Sequence, residues 1–302
     1  MSKLECQLGK LLLKNPVTVA SGTFGSGKEF KDFYDLSLLG GIMVKGTTPE
    51  KRVGNKPQRL VETSGGVINS IGLANGGIDD FIFNILPEAK TYGTEIIVNI
   101  SGGCIEEYGI MAHKLDLEGV GAVEVNISCP NVKEGGITFG TDPEMAYDVT
   151  KIVKANTSKP VIMKLSPNVT NIAIMAKAVE SGGADIISMI NTLIGMSIDV
   201  EKRKPIINNV IGGYSGPPIK PVALRMVYEV YKAVNIPIIG MGGIMNTTDA
   251  LEFLMAGASA ISVGTGNFVD PYIPINIIKG LEEYVEKNGL LSYKEIIGAV
   301  HR

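Results

Sequence analysis

At 302 residues, 45% hydrophobic and 20% charged, the chain has the composition of a globular protein and the length to bury a large core. Its formal net charge of -3 gives no basic field for nucleic acid, and no apolar run reaches the roughly 18 residues of a membrane span. Three cysteines and two histidines, with no Cys-x-x-Cys or His-x-x-x-His spacing, argue against a disulfide framework, a zinc site and an iron–sulfur cluster.

The first eight residues lack the apolar stretch of a signal peptide, so the expected location is cytoplasmic. Short β-rich runs follow at 16–23, 41–46, 95–101, 122–129, 160–167, 185–191, 236–243 and 260–266. Amphipathic stretches such as 143–155, 171–181, 221–234 and 247–256 lie between them. Eightfold strand–helix alternation predicts an α/β fold, a (β/α)8 TIM barrel, as one domain over 1–302. A doubly wound open sheet is the alternative. It calls for Gly-x-Gly-x-x-Gly after its first strand, and Ser-Gly-Thr-Phe-Gly-Ser-Gly at 21–27 does not match.

Two connections, 47–94 after strand two and 192–220 after strand six, are too long for plain barrel loops. Both leave the carboxyl ends of strands, so they are expected to cover the C-terminal face, with small antiparallel strands at 58–63 and 66–71.

Lys45, Asn126, Cys129 and Lys164 fall at or just past strand ends. Polar groups there need partners when removed from water, and barrels build active sites from such positions. Strand seven runs into Gly242-Gly243, and strand eight into Gly264-Thr265-Gly266. Glycine turns after these two strands let backbone N–H groups approach an anion, which suits the single phosphate of FMN. Lys164 would set a cation beside the pyrimidine edge of a flavin. Asn69, Asn99, Asn126 and Asn191 offer carboxamides that both donate and accept, matching a cyclic imide. Cys129 carries a thiol that can serve as a base near neutral pH, and Gly135-Gly136 beyond it could hinge a loop over the site. His113, on a polar helical stretch, and His301, at an end expected to fray, leave no Ser-His-Asp triad. Cys6 and Cys104 read as structural.

Asn-Ile-Ser-Cys-Pro-Asn at 126–131, Asn-Ser-Ile-Gly-Leu at 69–73, Ile-Gly-Met-Gly-Gly-Ile at 239–244 and Ser-Val-Gly-Thr at 262–265 together resemble the signatures of class 1 dihydroorotate dehydrogenases. The likeness runs collinearly from about residue 4 to the C-terminus. Ala-Ser-Gly-Thr-Phe-Gly at 20–25 and Val-Lys-Glu-Gly-Gly at 132–136 look most like the NAD-linked (class 1B) branch, whose partner subunit carries FAD and a [2Fe-2S] cluster. Ala-Asn-Gly-Gly at 74–77 departs from the Gln-Asn-Pro-Gly of the family pattern.

The resemblance implies oxidation of (S)-dihydroorotate to orotate in pyrimidine biosynthesis. It implies an FMN site lined by Ser21, Lys45, Gly46, Asn99, Asn126, Lys164, Ile190, Gly216, Gly242, Gly243, Gly264 and Thr265. Lys45, Asn69, Ser70, Ile71, Gly72, Leu73, Asn126, Asn191 and Thr192 would hold the pyrimidine, and Cys129 would be the catalytic base. No metal site is implied on this chain. The implied assembly is a heterotetramer built on a catalytic-subunit dimer, with electrons leaving for NAD through the FAD/iron–sulfur partner. The alternatives are a fumarate-linked homodimer, a pyrimidine reductase of related fold, a non-catalytic flavin- or phosphate-binding barrel, and a Schiff-base aldolase using Lys164.

Overall fold

The computed structural model describes residues 2–127 and 139–302. Strands Val17–Val19, Gly41–Met43, Glu95–Ile100, Ala122–Asn126, Val161–Lys164, Ile186–Met189, Ile238–Met241 and Ala260–Val263 close in chain order into one parallel barrel. These are the eight runs expected from the sequence, each shorter than its run. At the carboxyl ends the residues beyond the strands include Lys45, Gly46, Asn191, Gly242, Gly243, Gly264 and Thr265, which line the barrel mouth. Strand four ends at Asn126, and the expected run to 129 passes beyond the described residues.

The helices bury one stripe each. In Pro143–Asn156 the buried residues are Ala146, Val149, Thr150 and Val153; in Ile172–Ser181 they are Ile172, Met175, Ala176 and Val179. That spacing puts one face on the barrel wall. Sharp starts come from side chains that satisfy the orphan N–H groups of the first turn. Asp142 accepts from Glu144 and Met145, and Asn171 from Ala173. Helices Ile105–Lys114 and Ile273–Lys287 also join the outer ring. No helix among the described residues is long and apolar enough to cross a membrane.

An amino-terminal hairpin, Cys6–Leu8 with Leu11–Leu13, buries Leu4, Cys6, Leu8, Leu11 and Leu13 at the bottom of the barrel. The Cys6 thiol and the Tyr293 hydroxyl both donate to the Ser259 carbonyl, just before strand eight.

The two long connections meet. Leu60–Glu62 pairs with Val67–Asn69, Val67–Asn69 with Ile211–Ser215, and Ile211–Ser215 with Leu193–Met196, giving one four-stranded antiparallel sheet shared by both insertions. Only the first part of 47–94 contributes to it. Residues 78–92 instead form a helical segment whose Ile78, Phe81, Leu86 and Ala89 are buried in the common core, so this stretch serves as the barrel's own crossover. This corrects the expectation that all of 47–94 is cover: the apolar spacing of 78–92 is spread over a π turn and two short helical pieces, which hides the crossover helix in the sequence.

Candidate active site

The barrel interior just below its mouth is charged. Strands alternate their side chains, so Glu124 and Asn126 on strand four project to the same face. The Glu124 carboxylate is fully buried. It accepts from Asn99 Nδ2 on strand three at 2.6 Å and from Ser188 Oγ on strand six at 2.7 Å. Lys164 Nζ on strand five lies 3.6 Å away, and Lys164 is only 5% exposed. Four neighbouring strands thus place one carboxylate, one ammonium, one amide and one hydroxyl in a single layer.

Above that layer lies a cavity of about 290 Å³, walled by the strand ends and the shared antiparallel sheet. Lys164, Asn99, Asn126 and Asn191 face it from the barrel, and Asn69 from the sheet. Asn191 Nδ2 donates to Asn126 Oδ1 at 3.2 Å, while Asn191 Oδ1 accepts from the Thr192 N–H at 2.8 Å. Asn69 Nδ2 donates to the Gly213 carbonyl at 3.2 Å, tying the two insertions together where they face the cavity. Lys45 enters from the second strand's end. Burial first, and the charge of Arg59 second, push its amine below the usual lysine range. No carboxylate lies within ion-pair distance of it among the described residues. A partly buried, unpaired cation in a cavity suits an anionic ligand.

The far end of the cavity is built from glycine turns. Gly242 and Gly243 have φ of +128° and +78°, left-handed backbone that glycine adopts without strain. Among the described residues, the N–H groups of Gly242, Gly243, Gly264 and Thr265 meet no protein acceptor. Gly264 differs from Gly243. A Cβ built on Gly264 meets nothing nearer than Ala20 Cβ at 3.8 Å, so the fold itself does not demand glycine there. The space in front of it is cavity. Convergent free donors around a side-chain-free opening fit a phosphate group. The Thr265 hydroxyl donates to Ser215 Oγ at 2.9 Å, which ties this end to the covering sheet.

Of the residues singled out from the sequence, Ser21, Lys45, Gly46, Asn69, Ile71, Gly72, Leu73, Asn99, Asn126, Lys164, Ile190, Asn191, Thr192, Gly216, Gly242, Gly243, Gly264 and Thr265 all line this one cavity. Ser70 is not on its wall. Its side chain turns inward, accepting from Asn55 Nδ2 at 3.0 Å. Cys129 lies outside the described residues, as does Gly135-Gly136. His113 is exposed on its helix. His301 does not fray: Nε2 sits 2.9 Å from the Ala256 carbonyl, and its ring stacks on Tyr228 with centroids 4.1 Å apart.

Sequence reasoning missed Glu124 and Ser188 beneath the floor, and Thr23, Met241 and Phe268 on the walls. A signal for Glu124 was present: a carboxylate amid Ala-Val-Glu-Val-Asn in a buried strand must have partners. Asn168 was missed as well. Its Nδ2 donates to the Thr192 carbonyl and its Oδ1 accepts from the Ile194 N–H, both at 3.0 Å, fixing the start of the second insertion. Among the described residues, no cluster of three or more His, Cys, Asp or Glu side chains could hold a metal ion.

Comparison with known proteins gives a consistent picture. The family model described as "Dihydroorotate dehydrogenase" matches residues 3–285. A relative from Desulforamulus reducens, named "Dihydroorotate dehydrogenase B (NAD(+)), catalytic subunit", is 58% identical over 299 residues, 99% of this chain and 98% of its own. Proteins of the same name from Geotalea uraniireducens and Bacteroides thetaiotaomicron are 55% identical over 298 residues and 52% identical over 301. The first covers 98% of both chains and the second 99% of both.

Proposed function

The chain belongs to the dihydroorotate dehydrogenase family, a flavin-dependent oxidoreductase family, and from that premise we propose that it is the catalytic subunit of an NAD-linked dihydroorotate dehydrogenase in pyrimidine biosynthesis. It would oxidise (S)-dihydroorotate to orotate with FMN bound in the barrel mouth. Electrons would pass to NAD through a partner subunit carrying FAD and a [2Fe-2S] cluster, in a heterotetramer built on a catalytic-subunit dimer. The observation that carries this reading is that two amines, four carboxamides and the glycine turns open onto a single cavity.

Gly242, Gly243, Gly264 and Thr265 would hold the FMN phosphate through their free N–H groups. Lys164 and Asn99 would sit at the ring, where a cation offsets charge gained on reduction. When bound, the flavin supplies the two-electron acceptor. Lys45, Asn69, Asn126 and Asn191 would fix the substrate ring and its carboxylate, which is the orientation contribution to rate. The C5 proton of dihydroorotate is acidified by the neighbouring carbonyl, and Cys129 is assigned as the base that removes it. The covering sheet would exclude water from the reacting face.

The test is anaerobic addition of dihydroorotate to the chain reconstituted with FMN. The flavin absorbance bleaches in wild type. Cys129→Ala stays yellow but loses most of the bleaching, and reduction at the wild-type rate would remove Cys129 from the role of base. Steady-state turnover with fumarate by the isolated chain would favour the fumarate-linked alternative instead. A chain that takes up no FMN would overturn the proposal.

A further inference from the structure

Beside Lys164 lies a fully buried carboxylate, Glu124, that holding a flavin does not by itself require. We propose that Glu124 is a positioning residue for the redox site: its carboxylate anchors the Lys164 ammonium under the cavity floor, offsets its charge, and so lowers the reduction potential of the flavin that the cavity holds. The inference rests on the FMN reading of that cavity.

A fully buried carboxylate survives only if other groups compensate it. The two short bonds to Glu124 come from neutral donors, Asn99 Nδ2 and Ser188 Oγ, on strands three and six. The carboxylate is therefore placed by the barrel wall and not by the lysine. Lys164 stands at 3.6 Å, within ion-pair range but beyond a direct hydrogen bond of good geometry. An ammonium has three donors, and the loose contact leaves them available to the cavity that Lys164 lines.

The charges of the pair sum to zero. A lone ammonium at this position would favour the reduced, more negative ring over the oxidised one, and a carboxylate behind it weakens that preference. Asn99 carries a second link. It donates to Glu124 and also lines the cavity, so a change at Glu124 reaches the bound group through two side chains.

The full chain is reconstituted with FMN, and the midpoint potential and the dissociation constants for oxidised and reduced FMN are measured. Glu124→Gln keeps the shape and removes the charge. It is expected to favour reduced over oxidised FMN at least tenfold more than wild type does, about 30 mV for a two-electron couple. Glu124→Asp keeps the charge but withdraws it by one methylene, and shifts the potential the same way by a smaller step. If Glu124 acts mainly through Lys164, the Glu124→Gln shift is smaller in a Lys164→Met background than in the wild-type background. A wild-type potential in either Glu124 variant that folds and binds FMN overturns the inference, as does an undiminished shift in the Lys164→Met background. If Glu124→Gln does not fold, Glu124→Asp decides. Failure here is distinct from failure of the functional reading: in the latter, the wild-type chain itself takes up no FMN or is not bleached by dihydroorotate.

Discussion

Gly264 and Gly243 sit in neighbouring turns at the glycine-lined end of the cavity, yet replacing each by alanine should have opposite consequences. At Gly264 the added methyl meets only Ala20 Cβ, at an ordinary contact distance of 3.8 Å. The backbone is not left-handed there, so the folded apoprotein should keep its stability or gain about 0.4–1 kcal/mol through a less flexible unfolded chain. The methyl occupies the opening onto which the free N–H groups converge. Losing one charge-assisted hydrogen bond costs about 1.5–3 kcal/mol, so FMN affinity should fall roughly 10- to 100-fold. At Gly243, φ is +78° and the new Cβ would lie 2.9 Å from the Gly216 carbonyl oxygen and from Lys220 Cβ. Left-handed backbone costs a side chain about 1–2 kcal/mol, and overpacking adds about 1–3. Gly243→Ala should therefore lose roughly 2–5 kcal/mol of apoprotein stability. Urea denaturation of each apoprotein, paired with titration of FMN fluorescence, separates the two effects. Gly264→Ala with wild-type FMN affinity would refute the placement of the phosphate. Gly243→Ala with wild-type stability would refute the packing argument.

Lys45 should make orotate binding pH-dependent. Its pKa lies below the usual 10.5, so orotate affinity should fall as pH rises through that lowered value, while apoprotein stability rises over the same window because the buried charge is relieved. Lys45→Met should abolish both slopes, and a slope unchanged in that variant would exclude Lys45 as its source. Cys6, whose thiol burial pushes up to about 11, should stay silent toward a disulfide reagent at pH 8 until the protein unfolds. In a chain with Cys104 and Cys129 both replaced by serine, rapid native-state labelling would contradict this. His301→Ala removes the stack on Tyr228 and the hydrogen bond to the Ala256 carbonyl, and should lower stability by about 1–2 kcal/mol in urea; an unchanged midpoint would mean the carboxyl end contributes nothing.

The barrel was legible because each of its strands is a short apolar run followed by polar or glycine residues. That pattern is dictated by a wall buried on both faces and a mouth open at one end. Lys45, Lys164 and the asparagines could be picked out because they interrupt apolar sequence at those ends. Glu124 breaks the same pattern but lies two positions before the end of its run, on the face it shares with Asn126, so it is less conspicuous than the terminal residue. Ser188 gave no signal, because a serine in a strand is unremarkable until the carboxylate opposite it is known. Ser70 comes in only through the resemblance, as part of Asn-Ser-Ile-Gly-Leu; its hydroxyl accepts from Asn55 Nδ2 and it is not on the cavity wall. His301 was underrated because its partners, Tyr228 and Ala256, are far away in sequence.

The roof over the cavity is stitched from segments 144 residues apart, Asn69 against Gly213. During synthesis, Val67–Asn69 emerges long before Ile211–Ser215 exists to pair with it, so one side of the early hairpin is a bare strand edge exposing Val67 and Ile68. Such an edge invites pairing with other nascent chains. A chain terminated before residue 211 would keep that edge unpaired, and cofactor loading must await the later segment, which makes assembly of the holoprotein a late event on the ribosome's clock.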